Sequence, residues 1–416
     1  MTLLLASLTP SISALDRIHF YSTNPLWPEP RFEKDHLFSL DILFYEGSAK
    51  KGRRKCDDCQ TNLLDIYGTY NMRLLGKNVP KKDFSTFPDI ILTLLSQIPS
   101  CCNDFGRLSF CGSFDTKQAE IMLTQNFKNG LFCLLHLPIR SLDIDCITYR
   151  DLSPTGPNTP NKDNPIWKAF LASFGTILKQ YDLDMGPYKC THIGDVSAML
   201  GWTMNYEATE VVDFVDMTVK AGALFPSGKK RDPDKVFSLP HGYDGHFGLP
   251  FAFDIAVGFY EWLTVELHVD ALVLFKHTRC LRMKTACEQS GMIKLAKGRA
   301  TVDPGLIVQA GGYVQADHVV RGLSLTVGYS FSHRGDDKVC PCDTETFNTF
   351  IASSDEMFKR WKRHTLHFKA EYDFTKEDSR FGPRIGLFYN WHLKGERTFK
   401  TNTVGASFGL DITLKL

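Results

Sequence analysis

The chain has 416 residues, a net charge of +1 and a slightly negative mean hydropathy. A near-neutral charge carries no basic excess, so the composition excludes a typical nucleic-acid-binding surface, and we expect no nucleic-acid partner. No apolar run approaches the roughly 20 residues that a membrane-spanning helix needs. The longest candidate, from Ile90 to Ile98, is interrupted by Ser and Gln.

The N-terminus has an apolar centre and a small-residue end over residues 1–14, which is typical of a secretory signal peptide, although the usual Lys or Arg start is missing. We therefore expect a signal-peptide remnant at 1–14, a periplasmic N-terminal segment at 15–36 and a single large domain at 37–416. Export would place the 12 cysteines in an oxidising compartment, where disulfides form and persist.

Alternation of apolar and polar side chains recurs along the chain, as expected for strands with one apolar face. Such strands suit either a sandwich or a barrel whose apolar face meets lipid. The predicted strands are 38–45, 64–74, 107–114, 118–126, 131–147, 196–206, 215–225, 250–259, 263–276, 306–316, 323–331, 365–374, 384–394 and 404–416. The pair 107–114 and 118–126 is the least certain, because the two segments would also fit one long strand.

The connections between these strands alternate in length. Short turns fall at 127–130, 207–211, 260–262, 317–321 and 376–383, and long segments fall at 47–60, 148–193, 227–247, 278–303 and 335–363. Helical spacing predicts a helix over 165–181 and a weaker one over 344–361. In this register the segment 75–105 falls on the periplasmic side, where we expect a small plug.

This sorting of connections favours a barrel over a sandwich, because outer-membrane barrels combine short periplasmic turns with longer external loops. We predict an all-β fold: a closed antiparallel transmembrane β-barrel of about 14 strands, with 12 to 16 as the range. Only a closed barrel can satisfy every backbone polar group in lipid with strands.

The C-terminal strand carries a polar residue, a glycine two positions later and then alternating apolar residues: Ser407, Gly409, Ile412 and Leu414. With this strand, the chain after residue 36 resembles bacterial outer-membrane β-barrels of the porin type. It is loosely similar to the fatty-acid transporter family in strand number, and to cysteine-rich major outer-membrane proteins in cysteine content. The resemblance implies that the protein is located in the bacterial outer membrane. Its partners would then be the lipid bilayer, the barrel-assembly machinery and, in a homotrimer, two further copies of the chain.

Ionisable residues recur on the polar face of these strands, where they are tolerated because they face water or each other. The predicted pore-lining residues carry charges of both signs: Asp65, Arg73, Arg107, Glu120, Lys220, Asp254, Glu266, His268, Asp270, Lys369, Glu371, Arg384, His392 and Asp411. An open lumen would pass small polar or amphipathic solutes. A packed, salt-bridged interior without conduction would carry the same residues.

Cysteines cluster in the long loops, and the candidate disulfide cysteines are Cys56, Cys59, Cys280, Cys287, Cys340 and Cys342. Cys280 with Cys287 is the most plausible pair. We find no phosphate-binding glycine loop and no G-x-S-x-G motif, and we expect no catalytic residue, cofactor or metal. A Ser–His pair of the kind that outer-membrane lipases use is not excluded by spacing alone.

The sequence thus predicts a porin-like, non-enzymatic channel for passive diffusion or facilitated uptake of small solutes. The first alternative is a structural surface protein with a blocked lumen and disulfide reinforcement. The second alternative is an outer-membrane lipase or protease. A Ser or Asp beside a His on the outer surface or rim would indicate this function.

Overall fold

The computed structural model describes residues 11–12, 19–22, 27–28, 37–55, 59–80, 87–98, 104–156, 160–207, 212–375 and 380–413. Twelve of its strands form one closed ring. In chain order they are β1 Leu37–Ala49, β2 Arg107–Asn126, β3 Leu131–Asp151, β4 Val196–Glu207, β5 Val212–Phe225, β6 Gly248–Phe259, β7 Leu263–Leu274, β8 Ile307–Val320, β9 Leu323–Arg334, β10 Trp361–Asp373, β11 Phe381–Glu396 and β12 Asn402–Thr413.

Each strand pairs antiparallel with its neighbours in sequence, and β12 closes the ring against β1 with Leu410 opposite Leu40. The predicted all-β closed antiparallel barrel is therefore confirmed. The predicted number of about 14 strands is too high by two, because 107–114 and 118–126 are one strand and 64–74 is outside the ring. Two short strands, Tyr70–Asn71 and Tyr188–Ile193, extend the sheet beyond the ring.

The segment 64–74 was mistaken for a strand because its apolar residues do alternate. In the structure it forms two 3₁₀ turns, Leu63–Asp65 and Met72–Leu74, separated by Gly68 at a φ of +102°. Leu64 and Met72 are nonetheless buried in a loop core. Burial of every second side chain does not require an extended backbone, so periodicity alone misassigned this segment.

The two ends of the barrel differ in the length of their connections. At the short-turn end, β2 and β3 are joined through 127–130, where Gly130 has a φ of +75° and a Cβ would lie 2.0 Å from the Thr203 carbonyl oxygen. At the long-loop end lie the connections 50–106, 152–195, 226–247, 275–306 and 335–360, and the shorter 397–401. The predicted alternation is confirmed from β2 onward, but segment 75–105 lies at the long-loop end, not at the periplasmic end as predicted.

The connections at the long-loop end pack together into what we call the cap. It contains α1 Phe87–Gln97, α2 Pro165–Gln180 and α3 Thr349–Ser353, together with two three-stranded sheets. The sheets are formed by Lys51–Arg53, Gln60–Asn62 and Thr398–Phe399, and by His277–Arg282, Lys297–Asp303 and Lys338–Pro341. Buried side chains from all six connections at this end, including Leu95, Trp167, Phe237, Met292, Phe347 and Phe399, meet in one core.

The outer surface of the ring is apolar. Exposed outward side chains on successive strands include Phe44, Leu200, Val219, Phe253, Leu267, Val314, Val327, Phe368, Leu387 and Phe408. Exposed aromatic residues lie toward both ends of the strands, with Tyr206, Trp262 and Phe381 toward the short-turn end and Phe225, Tyr389 and Trp391 toward the long-loop end. Aromatic rings at these two levels match the boundary regions of a bilayer. Among the described helices, none is both long and apolar enough to cross a membrane.

Candidate functional site

The interior of the barrel is lined by polar and charged side chains at every level. Of the predicted pore-lining residues, those on the inward positions of barrel strands are Glu120, Lys220, Asp254, Glu266, His268, Asp270, Lys369, Glu371, Arg384, His392 and Asp411. Most of them are buried. The alternation thus found the inward face of the ring, whereas their role in lining a conducting pore stays a prediction.

Three predicted pore-lining residues lie away from the lumen. Asp65 is in the first long connection and accepts hydrogen bonds from the Ser109 hydroxyl at 2.6 Å and the Phe110 amide at 2.9 Å. Burial raises the pKa of this carboxyl. Arg73 lies in a 3₁₀ turn, and Arg107 opens β2 and donates to Thr69 at 3.2 Å. All three were placed in the lumen because 64–74 and the start of β2 were read as membrane strands.

A charged cluster occupies the lumen at the short-turn end, and Arg384 is its centre. Its guanidinium lies 3.1 Å from Asp41, 3.3 Å from Asp411 and 3.9 Å from Glu371. Lys369 pairs with Glu371 at 2.8 Å. Two cations and three carboxylates from four neighbouring strands therefore share one site, so removing Arg384 would leave the acidic groups without their main counter-charge.

Acidic residues dominate the opposite wall of the lumen, on β5 to β7. Lys220 pairs with Asp254 at 2.9 Å, and both side chains are almost fully buried. Glu266 accepts a hydrogen bond at 2.8 Å from Tyr313, its cross-strand neighbour on β8. His268 and Asp270 follow on the same inward face of β7. This wall therefore carries more carboxylates than cations.

A third polar group links β1, β2 and β3. The Tyr45 hydroxyl donates to Glu120 at 2.6 Å, and the His136 ring lies 3.6 Å from the other oxygen of Glu120. Closer to the long-loop end, Arg140 donates to Gln118 at 2.9 Å. These contacts join side chains of neighbouring strands inside the ring.

Residues 19–22 lie inside the long-loop end of the barrel, between its wall and the cap. Arg363 of β10 donates to the His19 carbonyl, and Gln118 of β2 donates to Ser22 at 3.1 Å. On the cap side, the Tyr21 hydroxyl donates to the Pro240 carbonyl at 2.8 Å, and the His19 ring stacks on Tyr243 with centroids 4.6 Å apart. This short segment therefore closes part of the lumen, which the sequence pattern did not indicate.

A row of hydrogen bonds that sequence reasoning missed crosses β9, β10, β11 and β12. Asn390 donates through Nδ2 to Thr403 at 2.8 Å, so its Oδ1 accepts from His367 Nδ1–H at 2.8 Å. His367 Nε2 then accepts from the Ser330 hydroxyl at 2.8 Å. A nucleophile, a base and an orienting amide have this order in hydrolases. Here, however, the three side chains are buried in the lumen and not on the outer rim, so we assign them to its polar lining.

Among the candidate disulfide cysteines, Cys280, Cys287, Cys340 and Cys342 are free thiols in the structure. The expected Cys280–Cys287 disulfide is therefore not formed in this structure. Another candidate, Cys56, lies outside the described residues.

Comparison with solved structures returns β-barrels of bacterial outer membranes. An outer-membrane channel from Pseudomonas putida F1 aligns with a TM-score of 0.49 and 9% identity, over 91% of this chain and 96% of that chain. The translocator domain of the autotransporter NalP from Neisseria meningitidis aligns at 0.32 and 9%, over 92% and 90%. A FadL homologue from Pseudomonas aeruginosa aligns at 0.31 and 11%, over 91% and 90%.

No protein-family model matches the chain, and neither does any curated protein. The predicted resemblance to outer-membrane β-barrels is confirmed for the fold. At these scores and identities the alignments add nothing on function, and the fold rests on the strand pairing of this chain itself.

Proposed function

We propose that the protein is a channel for small polar solutes in a bacterial outer membrane and that the structure represents its closed state. The observation that carries the proposal is the polar lining, which continues along the lumen from the Arg384 cluster to Arg363 and Gln118 inside an apolar ring. A confined pore that is lined with charges of both signs discriminates weakly between cations and anions, and it selects solutes mainly by their size.

The membrane location rests on the outer surface of the ring. A closed barrel has no unpaired edge, and a continuous apolar belt on its outside is unfavourable in water but stable in lipid. With the short turns in the periplasm, the cap faces the cell exterior. We also propose the barrel-assembly machinery as a partner and a homotrimer as the assembly. Both proposals depend on the location in the outer membrane.

The structural alternative also has a specific observation in its favour. The inward side chains are buried, and the cap and residues 19–22 cover the long-loop end. A protein of this form that never opened would reinforce the envelope without transporting anything. The two proposals therefore differ in whether the lumen opens.

Planar-bilayer recording of the folded full chain distinguishes them. We expect discrete, infrequent openings from the wild type and a clearly higher open probability from Arg363→Met, because this variant loses the hydrogen bond to the His19 carbonyl. Arg360→Met is the matched control, since Arg360 is an exposed arginine just before β10, and it should behave as the wild type. No openings from folded wild type or from Arg363→Met would favour the structural role.

A further inference from the structure

A small cleft opens in the cap between the 226–247 connection, the strand His277–Arg282 and residues 357–358. Its volume is about 60 Å³, several times the roughly 10–15 Å³ that one water molecule occupies by this measure. Its floor is apolar, with Val236, Leu281 and Phe358, but its walls carry Arg231, Arg279 and Arg282. The lining also contains Lys235 and the carboxylates of Asp232 and Asp244.

Two of the three arginines, Arg282 and Arg279, form ion pairs within the protein. Arg282 donates to the Pro233, Leu295 and Tyr181 carbonyls and pairs with Asp234 at 2.9 Å. Arg279 pairs with Asp244. Of the two carboxylates in the lining, Asp244 also accepts from the Arg231 amide at 2.8 Å, and Asp232 accepts from the Asp234 amide at 2.9 Å.

Arg231 has no carboxylate within ion-pair distance among the described residues. Its Nε donates to the Ser238 carbonyl at 2.9 Å, and Nη1 faces the sulfur of Met357, which is a weak acceptor. Asp355 acts on it electrostatically but is itself bonded to Lys294 at 2.5 Å. Burial lowers the pKa of Arg231, which means that its charge is poorly solvated.

Arg279 adds to this positive potential. Burial, and then the neighbouring charges of Arg231 and Arg334, lower the pKa of Arg279 to about 9. Its Nε has no hydrogen-bond partner in the described part of the chain. An anion in the cleft would lie beside the guanidiniums of Arg231 and Arg279, and its negative charge would offset the desolvation of Arg231, which no carboxylate of the described residues pairs with.

We propose that this cleft is a binding site for a tetrahedral oxyanion of the phosphate class, with Arg231 as its main ligand and Arg279 as a second. Planar guanidiniums present paired donors that match phosphate oxygens, and these charge-assisted bonds are stronger than those between neutral groups. A free phosphate ion and a lipid headgroup present the same oxygens, and the experiment below distinguishes these two sources. The site is independent of the lumen and goes beyond the proposed transport function.

Calorimetric titration of the folded full chain in detergent with inorganic phosphate tests this site. We expect saturable binding by the wild type, at least tenfold weaker binding by Arg231→Gln, and partial recovery in Arg231→Lys. The matched control is Arg299→Gln, because Arg299 is an exposed arginine on the same cap sheet, and its affinity should stay within twofold of the wild type. Retained heat-modifiable migration checks that each variant is folded.

A second arm identifies the source of the phosphate. The chain is placed in nanodiscs with phosphatidic acid or with diacylglycerol, and thermal unfolding of the cap is followed with and without free phosphate. Stabilisation by phosphatidic acid that is lost in Arg231→Gln assigns a lipid headgroup, and stabilisation by free phosphate alone assigns a soluble ligand. Wild type that binds phosphate in neither arm, or Arg231→Gln that binds as tightly as wild type, would overturn the proposal.

Discussion

The barrel wall and the cap place their apolar side chains on opposite sides. In the wall they point outward, and in the cap they point into a buried core. In the wall, Leu267 is 61% exposed on the outside while Glu266 beside it is fully buried inside. In the cap, Trp167 is fully buried and charged residues such as Lys168 and Asp163 lie exposed at the surface, as in a water-soluble domain. One chain thus contains two folding environments, and the boundary between them marks where lipid is expected to end.

The strongest test of the cap as a soluble-type core is Trp167→Ala. The Trp167 ring stacks on Phe170 with centroids 5.2 Å apart, and Nε1 donates to Asp151 at 3.0 Å. A cavity of this kind costs about 3–5 kcal/mol. We expect rapid proteolysis within 152–195, while heat-modifiable migration of the barrel is retained. Phe350→Ala, at a 75% exposed cap position, is the control and should leave the proteolysis pattern unchanged.

Substitution of Arg384, inside the wall, should destabilise the protein as much as Trp167→Ala does. Here the cause is the loss of a buried charge and not the loss of apolar packing. Arg384→Met leaves Asp41, Glu371 and Asp411 close together without their central cation, and breaking a buried pair costs about 3–5 kcal/mol. Urea unfolding in lipid vesicles should show this loss. Arg321→Met, at an exposed position of the same barrel end, should have an effect near zero; equal effects would mean that the cluster contributes nothing.

The lipid-facing surface is tested by Leu267→Arg, near the middle of β7. A charge at that depth should cost about 2–4 kcal/mol in lipid, measured by the same vesicle unfolding. Leu267→Phe keeps the site apolar and should be tolerated. If arginine and phenylalanine were tolerated alike, the outward face of β7 would not meet lipid.

The smallest expected effect is a pH dependence confined to the cap. His246 is buried, its Nδ1 contacts the Phe275 carbonyl at 2.8 Å, and burial lowers the pKa of this imidazole to about 4. Because the neutral form is favoured in the folded cap, its stabilising effect is present above about pH 6.5 and is lost as the pH falls toward 4. At pH 5 the loss is about 2 kcal/mol.

This dependence can be followed by proteolysis of the cap between pH 7 and pH 4.5. His246→Gln should reduce its slope, while the barrel itself stays folded over the whole range; the remaining slope comes in part from His241, because burial lowers its pKa to about 4 as well. An unchanged slope in His246→Gln would rule out this histidine as its source.

The sequence predicted the wall far better than the cap. A period of two is a local property, so the inward positions of Glu266, Lys369 and Arg384 follow from spacing alone. The closure of β12 on β1 was also expected from the apolar pattern, because no edge strand is stable in lipid. The helix at 165–181 was found because its apolar residues repeat at helical spacing.

What could not be predicted depends on contacts between distant segments. Leu64 and Met72 alternate as in a strand, yet they are buried by other loops of the cap. The meeting of Arg231 and Arg279, and the position of His19 against Arg363 and Tyr243, join residues far apart in sequence, and no local spacing encodes them. The Ser330–His367–Asn390 row needed the cross-strand register, which sequence alone leaves open.

The most direct test of the account uses the chain's own tryptophans in vesicles of brominated lipid. Trp202, Trp262 and Trp391 are exposed on the outside of the ring, whereas Trp167 is buried in the cap. In variants that retain one tryptophan each, we predict strong fluorescence quenching of the three wall residues by bromines and none for Trp167. Unquenched wall tryptophans, or equal quenching of Trp167, would contradict a lipid-embedded barrel with a water-exposed cap.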